Sequence, residues 1–354
     1  MQIDLIQEAR RQAEICNACR YCEGYCSVFP TLQSQRAFAD GDITQLANLC
    51  HNCRGCYYAC QYTAPHEFDL NLPKALAEVR RDSWEDLAWP QPLARRFHSQ
   101  GGAIALALVV GYALMFLAIR ALGSAGGDGF YAVMSHGAMV ALFAPAFLLP
   151  LLSVGISLRR YWRIVGGKPI VLADLSAALG SAARMKDLAA GHGEGCNFED
   201  EDRFSQSRRY AHQAIMYGFL LCFAATSAGT VLHYLFNSPA PYPFWSLPKL
   251  LGIPGGLLLT LGCAWMAQLK LSSDRVLGDP GAWGGDIGFI LLLGFTGLSG
   301  LMLYALGGTT WMPALLAIHL GAVLTFFLLT PFTKMAHGFY RIAALVRNAQ
   351  RYRE

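Results

Sequence analysis

The sequence predicts an all-α protein in which a polar helical head precedes a bundle of six membrane-crossing helices. Of its 354 residues, 54% are hydrophobic and only 15% are charged, and the mean hydropathy of +0.32 is too high for a soluble chain of this length. Residues 1–98 are polar and rich in cysteine, whereas long apolar runs fill residues 99–354. No stretch has the sustained alternation of a half-buried strand. We therefore expect a head with its linker over 1–98 and a membrane domain over 99–354.

Eight of the eleven cysteines form two runs of identical spacing, C-x2-C-x2-C-x3-C. They are Cys16, Cys19, Cys22 and Cys26 in the first run and Cys50, Cys53, Cys56 and Cys60 in the second. This is the ligand pattern of two-cluster bacterial ferredoxins, in which the fourth cysteine of each run binds the other cluster. The spacing thus predicts two 4Fe-4S clusters, one on Cys16, Cys19, Cys22 and Cys60 and one on Cys50, Cys53, Cys56 and Cys26. Disulfides and zinc sites are the alternatives, but neither needs eight thiols in this doubled register.

The head departs from small soluble ferredoxins, because Ser27 and Gln61 stand where a proline usually follows the fourth cysteine. This favours the α-helical type of cluster domain found in respiratory enzymes. We expect its helices to span residues 1–15, 38–48 and 71–81.

The segment 84–97 is expected to be a linker that approaches the membrane. Its Trp84, Trp89, Arg95 and Arg96 are typical of anchors at the membrane surface. Residues 1–15 lack the apolar core of a signal peptide, so the head is expected to stay in the cytoplasm, where oxygen-sensitive clusters are protected.

Six segments are long and apolar enough to cross a bilayer. They cover roughly 102–122, 131–158, 211–236, 250–270, 285–306 and 314–336. Arginines and lysines are concentrated in the loop 159–210 and after the sixth segment, whereas the three connections on the opposite side contain only Lys249. The positive-inside rule then predicts an inner-membrane protein with both termini and the head in the cytoplasm. Within the loop, His192 and Cys196 are too few to make a metal site, and a flexible glycine-rich segment is expected.

Five histidines lie in or at the ends of the apolar segments: His136, His212, His233, His319 and His337. Ionisable residues at these depths are costly and are usually functional. On one continuous helix, His319 and His337 face the same way and lie about 27 Å apart along the axis. An antiparallel third span would bring His212 level with His337 at the inner side and His233 level with His319 at the outer side. These positions predict one or two b haems, each held by one of these pairs.

The alternative is that these histidines are interfacial residues or hydrogen-bond partners between helices. At the outer side His136 lies at the same depth as the predicted pair, so a single haem on His212 and His337 stays open. Structural roles are expected for five other residues, namely His51, His66, His98, Cys222 and Cys263.

The chain also resembles a known family. Besides the two-cluster head and the six spans, the resemblance rests on one stretch, which runs through Gly195-Cys196-Asn197, Arg208-Arg209-Tyr210-Ala211-His212 and Tyr217-Gly218-Phe219-Leu220-Leu221-Cys222. The family is that of tricarballylate utilization protein B, also described as citrate utilization protein B, and the resemblance covers essentially the whole chain. It implies a membrane partner for a cytoplasmic FAD-dependent tricarballylate dehydrogenase. It further implies that the chain reoxidises the flavin through its clusters and haem and passes the electrons to the quinone pool.

The residues by themselves support an electron-transfer subunit with a quinone reductase half-reaction. No G-x-G-x-x-G fingerprint is present, so the flavin is expected on a partner, whose substrate could be tricarballylate, citrate or another carboxylate. Weak candidates for a quinone site near the inner pair are Arg208, Arg209, Tyr210, Lys334 and Tyr340, since such residues also anchor helix ends.

Two other classes of protein stay open. A redox-sensing membrane protein would carry no catalytic flux, and here it lacks a recognisable output domain. A transporter fused to a redox head would need charged residues well inside its spans, and none is found there in the sequence. Within the leading class, electrons could also run from quinol to a soluble acceptor, as in a subunit of a different reductase.

Overall fold

The computed structural model describes residues 4–123, 131, 133–191, 193–198 and 203–353 and confirms the all-α fold class. Its helices are α1 (Leu5–Cys19), α2 (Val28–Gln33), α3 (Asp40–Leu49), α4 (Gly55–Tyr58), α5 (Leu72–Leu87), α6 (Gln91–Ala121), α7 (His136–Ile164), α8 (Leu172–Arg184), α9 (Ser207–Phe236), α10 (Leu247–Ser272), α11 (Trp283–Leu306), α12 (Met312–Leu329) and α13 (Ala336–Arg353). Across these described ranges, β pairing is limited to an isolated bridge between Cys196 and Ser205.

The head helices begin at the residues that their caps dictate. Asp4 accepts hydrogen bonds from the backbone N–H groups of Ile6 and Gln7, which satisfies the free donors at the start of α1. Asn71 caps α5 in the same way, and Pro73 occupies its first turn. The hydrophobic core of the head forms where α1, α3 and α5 pack together through residues such as Leu46 and Leu76.

The segment 84–97 is not the linker that the sequence predicts. It is helical on both sides of Trp89 and Pro90, because α5 runs to Leu87 and α6 begins at Gln91. Trp84 is only 8% exposed, its Nε1 donates to Asn48 Oδ1 at 2.9 Å, and its ring stacks on that of Tyr340 at 5.7 Å. The prediction that Trp84 anchors the chain at the membrane surface is therefore wrong, because its partner comes from the other end of the sequence.

Six helices are long and apolar enough to cross a membrane, and they agree with the six predicted segments. The sixth differs in its end: α12 stops at Leu329, and a short 3-10 turn over Thr330–Phe332 leads into the separate helix α13. Pro331 lacks the N–H that would continue the hydrogen-bond ladder, which accounts for the break. The predicted boundary between residues 98 and 99 falls inside α6, whose backbone is kinked at Gln100.

The C-terminal helix α13 packs on the head and not in the membrane bundle. Gln45 Nε2 donates to the carbonyl oxygen of Ala344 at 2.8 Å, and Thr31 Oγ1 donates to Asn348 Oδ1 at 2.5 Å. Tyr161, at the inner end of α7, is fully buried in the same core and donates to Gln45 Oε1 at 2.7 Å. The core of the head is thus shared by residues from the start, the middle and the end of the chain.

Helices α9 and α10 approach each other closely at Gly218 and Gly255. A Cβ atom at Gly218 would lie 2.5 Å from the backbone nitrogen of Leu259, so only glycine fits this contact. Gly229 lies on the same helix, but a Cβ there would meet the Tyr242 ring at an ordinary 3.6 Å.

We expect Gly218→Ala to destabilise the bundle by about 1–3 kcal/mol, because the two backbones must move apart. Gly229→Ala is the matched control, since it gives the same gain in helix propensity without the clash. Thermal denaturation in detergent measures both variants, and equal midpoints would contradict the close contact.

Candidate functional site

The first predicted thiol group lines a cavity of ≈ 250 Å³ at the surface of the head. Its four members Cys16, Cys19, Cys22 and Cys60 all face this space, and the sulfur of Cys60 accepts from the backbone N–H of Tyr62 at 3.4 Å. Burial, followed by the neighbouring thiols of Cys60, Cys22 and Cys19, raises the pKa of Cys16 to about 12. Cys19 is exposed, so this group is open to solvent on one side.

The second predicted thiol group is less exposed, since Cys53 is buried and Cys26, Cys50 and Cys56 are half-buried, with Cys56 also at the wall of the same cavity. Burial raises the pKa of Cys26 and of Cys56 well above the usual range, and in both cases the thiols of Cys53 and Cys50 add to the effect. Cys26 therefore lies near the second run and Cys60 near the first, while the ligand sets of the two clusters stay a prediction. In the described ranges, no three or more His, Cys, Asp or Glu side chains lie close enough together to hold a single metal ion. Eight thiols gathered in one part of the head fit the chemistry of iron–sulfur clusters, which supply one-electron transfer when bound.

Cys196 lies beside the second thiol group, a position that the sequence analysis missed. It is 1% exposed and hydrogen-bonds with the thiol of Cys53, and the backbone N–H of Asn197 donates to the Cys53 carbonyl at 3.0 Å. The segment is thus packed against the head, and the predicted flexible loop is wrong for the residues around Cys196. His192, the other residue considered as a metal ligand there, lies outside the described residues.

The inner histidines His212 and His337 are brought together from α9 and α13. Their ring centroids lie 5.7 Å apart with the planes at 78°. These two residues would be able to hold an iron between them, since two imidazoles that each bind one metal ion at about 2 Å have centroids roughly 6 Å apart. The Nδ1 atom of His212 is buried and has no hydrogen-bond partner in the described part of the chain. Burial, followed by the charges of His212 and Lys334, lowers the pKa of His337 to about 3, so its imidazole is neutral, as a metal ligand must be.

His51 lies beside the second thiol group and is paired with a side chain of α13. It follows Cys50 in sequence, and its Nδ1 lies 2.6 Å from a guanidinium nitrogen of Arg341. Burial lowers the pKa of His51 well below the usual range, and the charges of Arg341, Arg208 and His212 lower it further. The sequence predicts only a structural role for His51, because no residue near it in sequence indicates that a residue of α9 lies close to it.

The outer histidines do not pair as predicted from the sequence. The His233 ring stacks on that of His136 at 4.3 Å, and His136 Nε2 lies 2.9 Å from the Tyr234 hydroxyl. His319 instead hydrogen-bonds with Ser299 Oγ at 3.0 Å. Rings stacked at 4.3 Å leave no room for an iron between them, so these contacts do not fit a second haem.

His319 and His337 do not lie on one continuous helix, so the prediction that they face the same way is wrong. The two residues belong to α12 and α13, which are separated by the break at Pro331. His212 and His233 do share the single helix α9, as assumed.

Most of the weak candidates for a quinone site are already bound within the protein. Arg208 donates to a backbone carbonyl of the head, Arg209 donates to the Arg184 carbonyl, and the Tyr340 ring is stacked on Trp84. Tyr210 is 53% exposed at the start of α9.

A partly buried ion group lies at the inner ends of α10 and α11. Asp286 is held between Lys270 and Lys334, each with an N–O distance of 2.9 Å. Lys334 also lies 5.7 Å from the centroid of the Trp84 ring. This group ties three parts of the membrane half to the head at the level of the inner histidines.

These features define a membrane protein that carries an iron–sulfur head for electron transfer. The chain matches the family Citrate utilization protein B over residues 93–354 and the family Citrate utilization protein B Fer4-like domain over residues 9–86. It is 43% identical over 351 residues to Citrate utilization protein B of Escherichia coli, covering 96% of this chain and 91% of that protein. The chain therefore belongs to the citrate utilization protein B family. No solved structure matches it.

Proposed function

We propose that this protein reoxidises a cytoplasmic FAD-dependent dehydrogenase and passes the electrons to the quinone pool. Two 4Fe-4S clusters on the eight cysteines and one b haem on His212 and His337 would supply the one-electron steps between a two-electron flavin and a two-electron quinone. The observation that carries the proposal is the meeting of His212 and His337 at the inner side, with ring centroids 5.7 Å apart. Arg341 of α13, the same helix as His337, is paired with His51 beside Cys50.

The residues of the chain divide the work along this route. Exposed Cys19, next to a Tyr21 side chain that is 69% exposed, gives a soluble partner access to the first thiol group. Cys50 and His51 adjoin the membrane half, where burial lowers the pKa of His337 and keeps its imidazole neutral. At the end of the route, Tyr210 and the bound Lys334 are the groups available to position a quinone at the inner membrane surface.

The dehydrogenase would act on a small polycarboxylate. The relative in Escherichia coli is named for citrate utilization, and the sequence resembles a family named for tricarballylate. We propose tricarballylate dehydrogenase as the partner, with the flavin on that protein.

The protein would lie in the inner membrane with its head and both termini in the cytoplasm. Support comes from the arginines at the head end, where Arg351 pairs with Asp42 and Arg353 pairs with Asp174 at 3.1 Å. This arrangement gathers the positive charges of α13 on the same side as the head. We also propose that residues 1–98 form the head with its linker and that residues 99–354 form the membrane domain.

The test is an anaerobic reduced-minus-oxidised spectrum of the purified protein, with pyridine haemochrome and iron measured per chain. We expect one b haem and about eight further irons, together with turnover when a reduced flavoprotein and a quinone are both added. Intact clusters without haem would sink the proposal and favour a redox sensor. Two haems would require an outer site that the contacts of His136, His233 and His319 do not fit.

A further inference from the structure

Four arginines surround the backbone segment that carries Cys50 and Cys53 of the second thiol group. We call them the arginine cage, and they are Arg54, Arg80, Arg208 and Arg341. Arg80 donates to the carbonyl oxygen of Cys50 at 2.6 Å and to that of Ala47 at 3.1 Å. Arg341 donates to the carbonyl oxygen of Leu49 from the other side. Two guanidinium groups therefore lie within one residue of the Cys50 ligand.

The other half of the cage encloses the approach to Cys53. Arg208 donates to the carbonyl oxygen of Asn52 at 2.9 Å, and Arg54 Nε donates to the Asn52 side chain at 3.2 Å. Both guanidinium groups also lie over the ring of Phe198, at 4.1 Å for Arg208 and 4.7 Å for Arg54. Arg54 is only 3% exposed, so its charge is poorly screened by water.

The cage also orients the backbone of this loop. Because the carbonyl oxygens of residues 47–50 and 52 point at the arginines, backbone N–H groups are free to point at the sulfurs. The N–H of Asn52 does so, with its nitrogen 3.3 Å from Cys50 Sγ. Charges and N–H groups thus act in the same direction on the second thiol group.

The first thiol group has a different setting. Arg20 follows its Cys19, but this arginine is exposed and donates to the Asn17 carbonyl at 3.2 Å. Water screens such a charge, so its effect on the neighbouring thiols is small. Two groups with the same ligands therefore differ in the positive charge held near them.

We propose that the arginine cage makes the second cluster the more easily reduced of the two, so that electrons collect on the side of the head that faces the membrane. Reduction adds one electron and one negative charge to the cluster, and fixed positive charges nearby stabilise the reduced form. Burial opposes this, but four guanidinium groups outnumber the carboxylate of Asp187, which pairs with Arg341 at 3.1 Å. The inference rests on the proposed function for the electron donor, which is the reduced flavin of the partner.

The test is a redox titration of the full-length protein in detergent, followed by EPR. Cys19→Ser identifies the signal of the first cluster. In the wild type we expect that signal to appear at the lower potential. Arg80→Gln should lower the higher potential by about 59 mV, a tenfold change in the one-electron reduction equilibrium, and Arg80→Lys should restore most of the loss. Arg20→Gln is the matched control and should shift neither signal by a comparable amount.

Arg208→Gln provides a second variant from the membrane half, in case Arg80→Gln fails to fold. The inference is overturned if the two clusters titrate together, or if both cage variants move the first cluster or shift neither cluster more than Arg20→Gln does. Each of these results leaves the proposed function intact, because both clusters are still present. Loss of the proposed function would show differently, as a protein without cluster signals.

Discussion

His212→Ala is expected to remove the b-type absorbance and to reduce quinone-linked turnover to background, while about eight irons per chain remain. The reason is that a haem would be held by both His212 and His337, and the buried Nδ1 of His212 has no hydrogen-bond partner in the described ranges. Absorbance spectra, iron content and the rate of quinone reduction by a reduced flavoprotein measure the three quantities separately.

His319→Ala is the matched control, because this histidine is also in an apolar helix but bonds to Ser299. It should keep the haem spectrum and most of the turnover. Retention of haem in His212→Ala, or its loss only in His319→Ala, would contradict the assignment of the inner pair.

Cys56→Ser is expected to lower the iron content from about eight to about four per chain and to abolish electron flow. A lower thermal midpoint should follow, since Cys56 packs against the hydrophobic core of the head and the free energy of metal binding contributes to folding. Iron analysis, EPR and thermal denaturation check these outcomes.

Cys222→Ser is the control for the loss of a thiol as such. Cys222 is a partly buried side chain on α9, far in sequence from both runs, and its replacement should keep all the iron. If Cys56→Ser kept eight irons, the ligand set of the second cluster would be wrong.

Local patterns were enough to predict much of this molecule. The repeated cysteine spacing predicts an iron–sulfur head, and the match of residues 9–86 to a Fer4-like domain agrees with it. Hydropathy predicts the six spans, because each must carry an apolar surface over its whole length. Both signals reside in residues close together in sequence.

Contacts between distant parts of the chain could not be predicted in the same way. Trp84 has the composition of a membrane anchor, yet Tyr340 and Asn48 bury it. Hydropathy also extends the sixth span through Pro331, which misplaces His337 on the wrong helix. The partner of His233 was misjudged, since equal depth in a membrane does not decide which helices are neighbours.

The sharing of the head core with α13 constrains how the protein is made. Gln45 and Thr31 are synthesised early, but Ala344 and Asn348 leave the ribosome only after all six spans. Until then the core of the head lacks the side chains that α13 contributes, and Arg341 is not yet in place beside the second cysteine run. Biogenesis therefore has an order, in which insertion into the membrane precedes final closure of the head. A ribosome that stalls before α13 leaves behind an unfinished head that proteases can recognise, and not a working electron carrier.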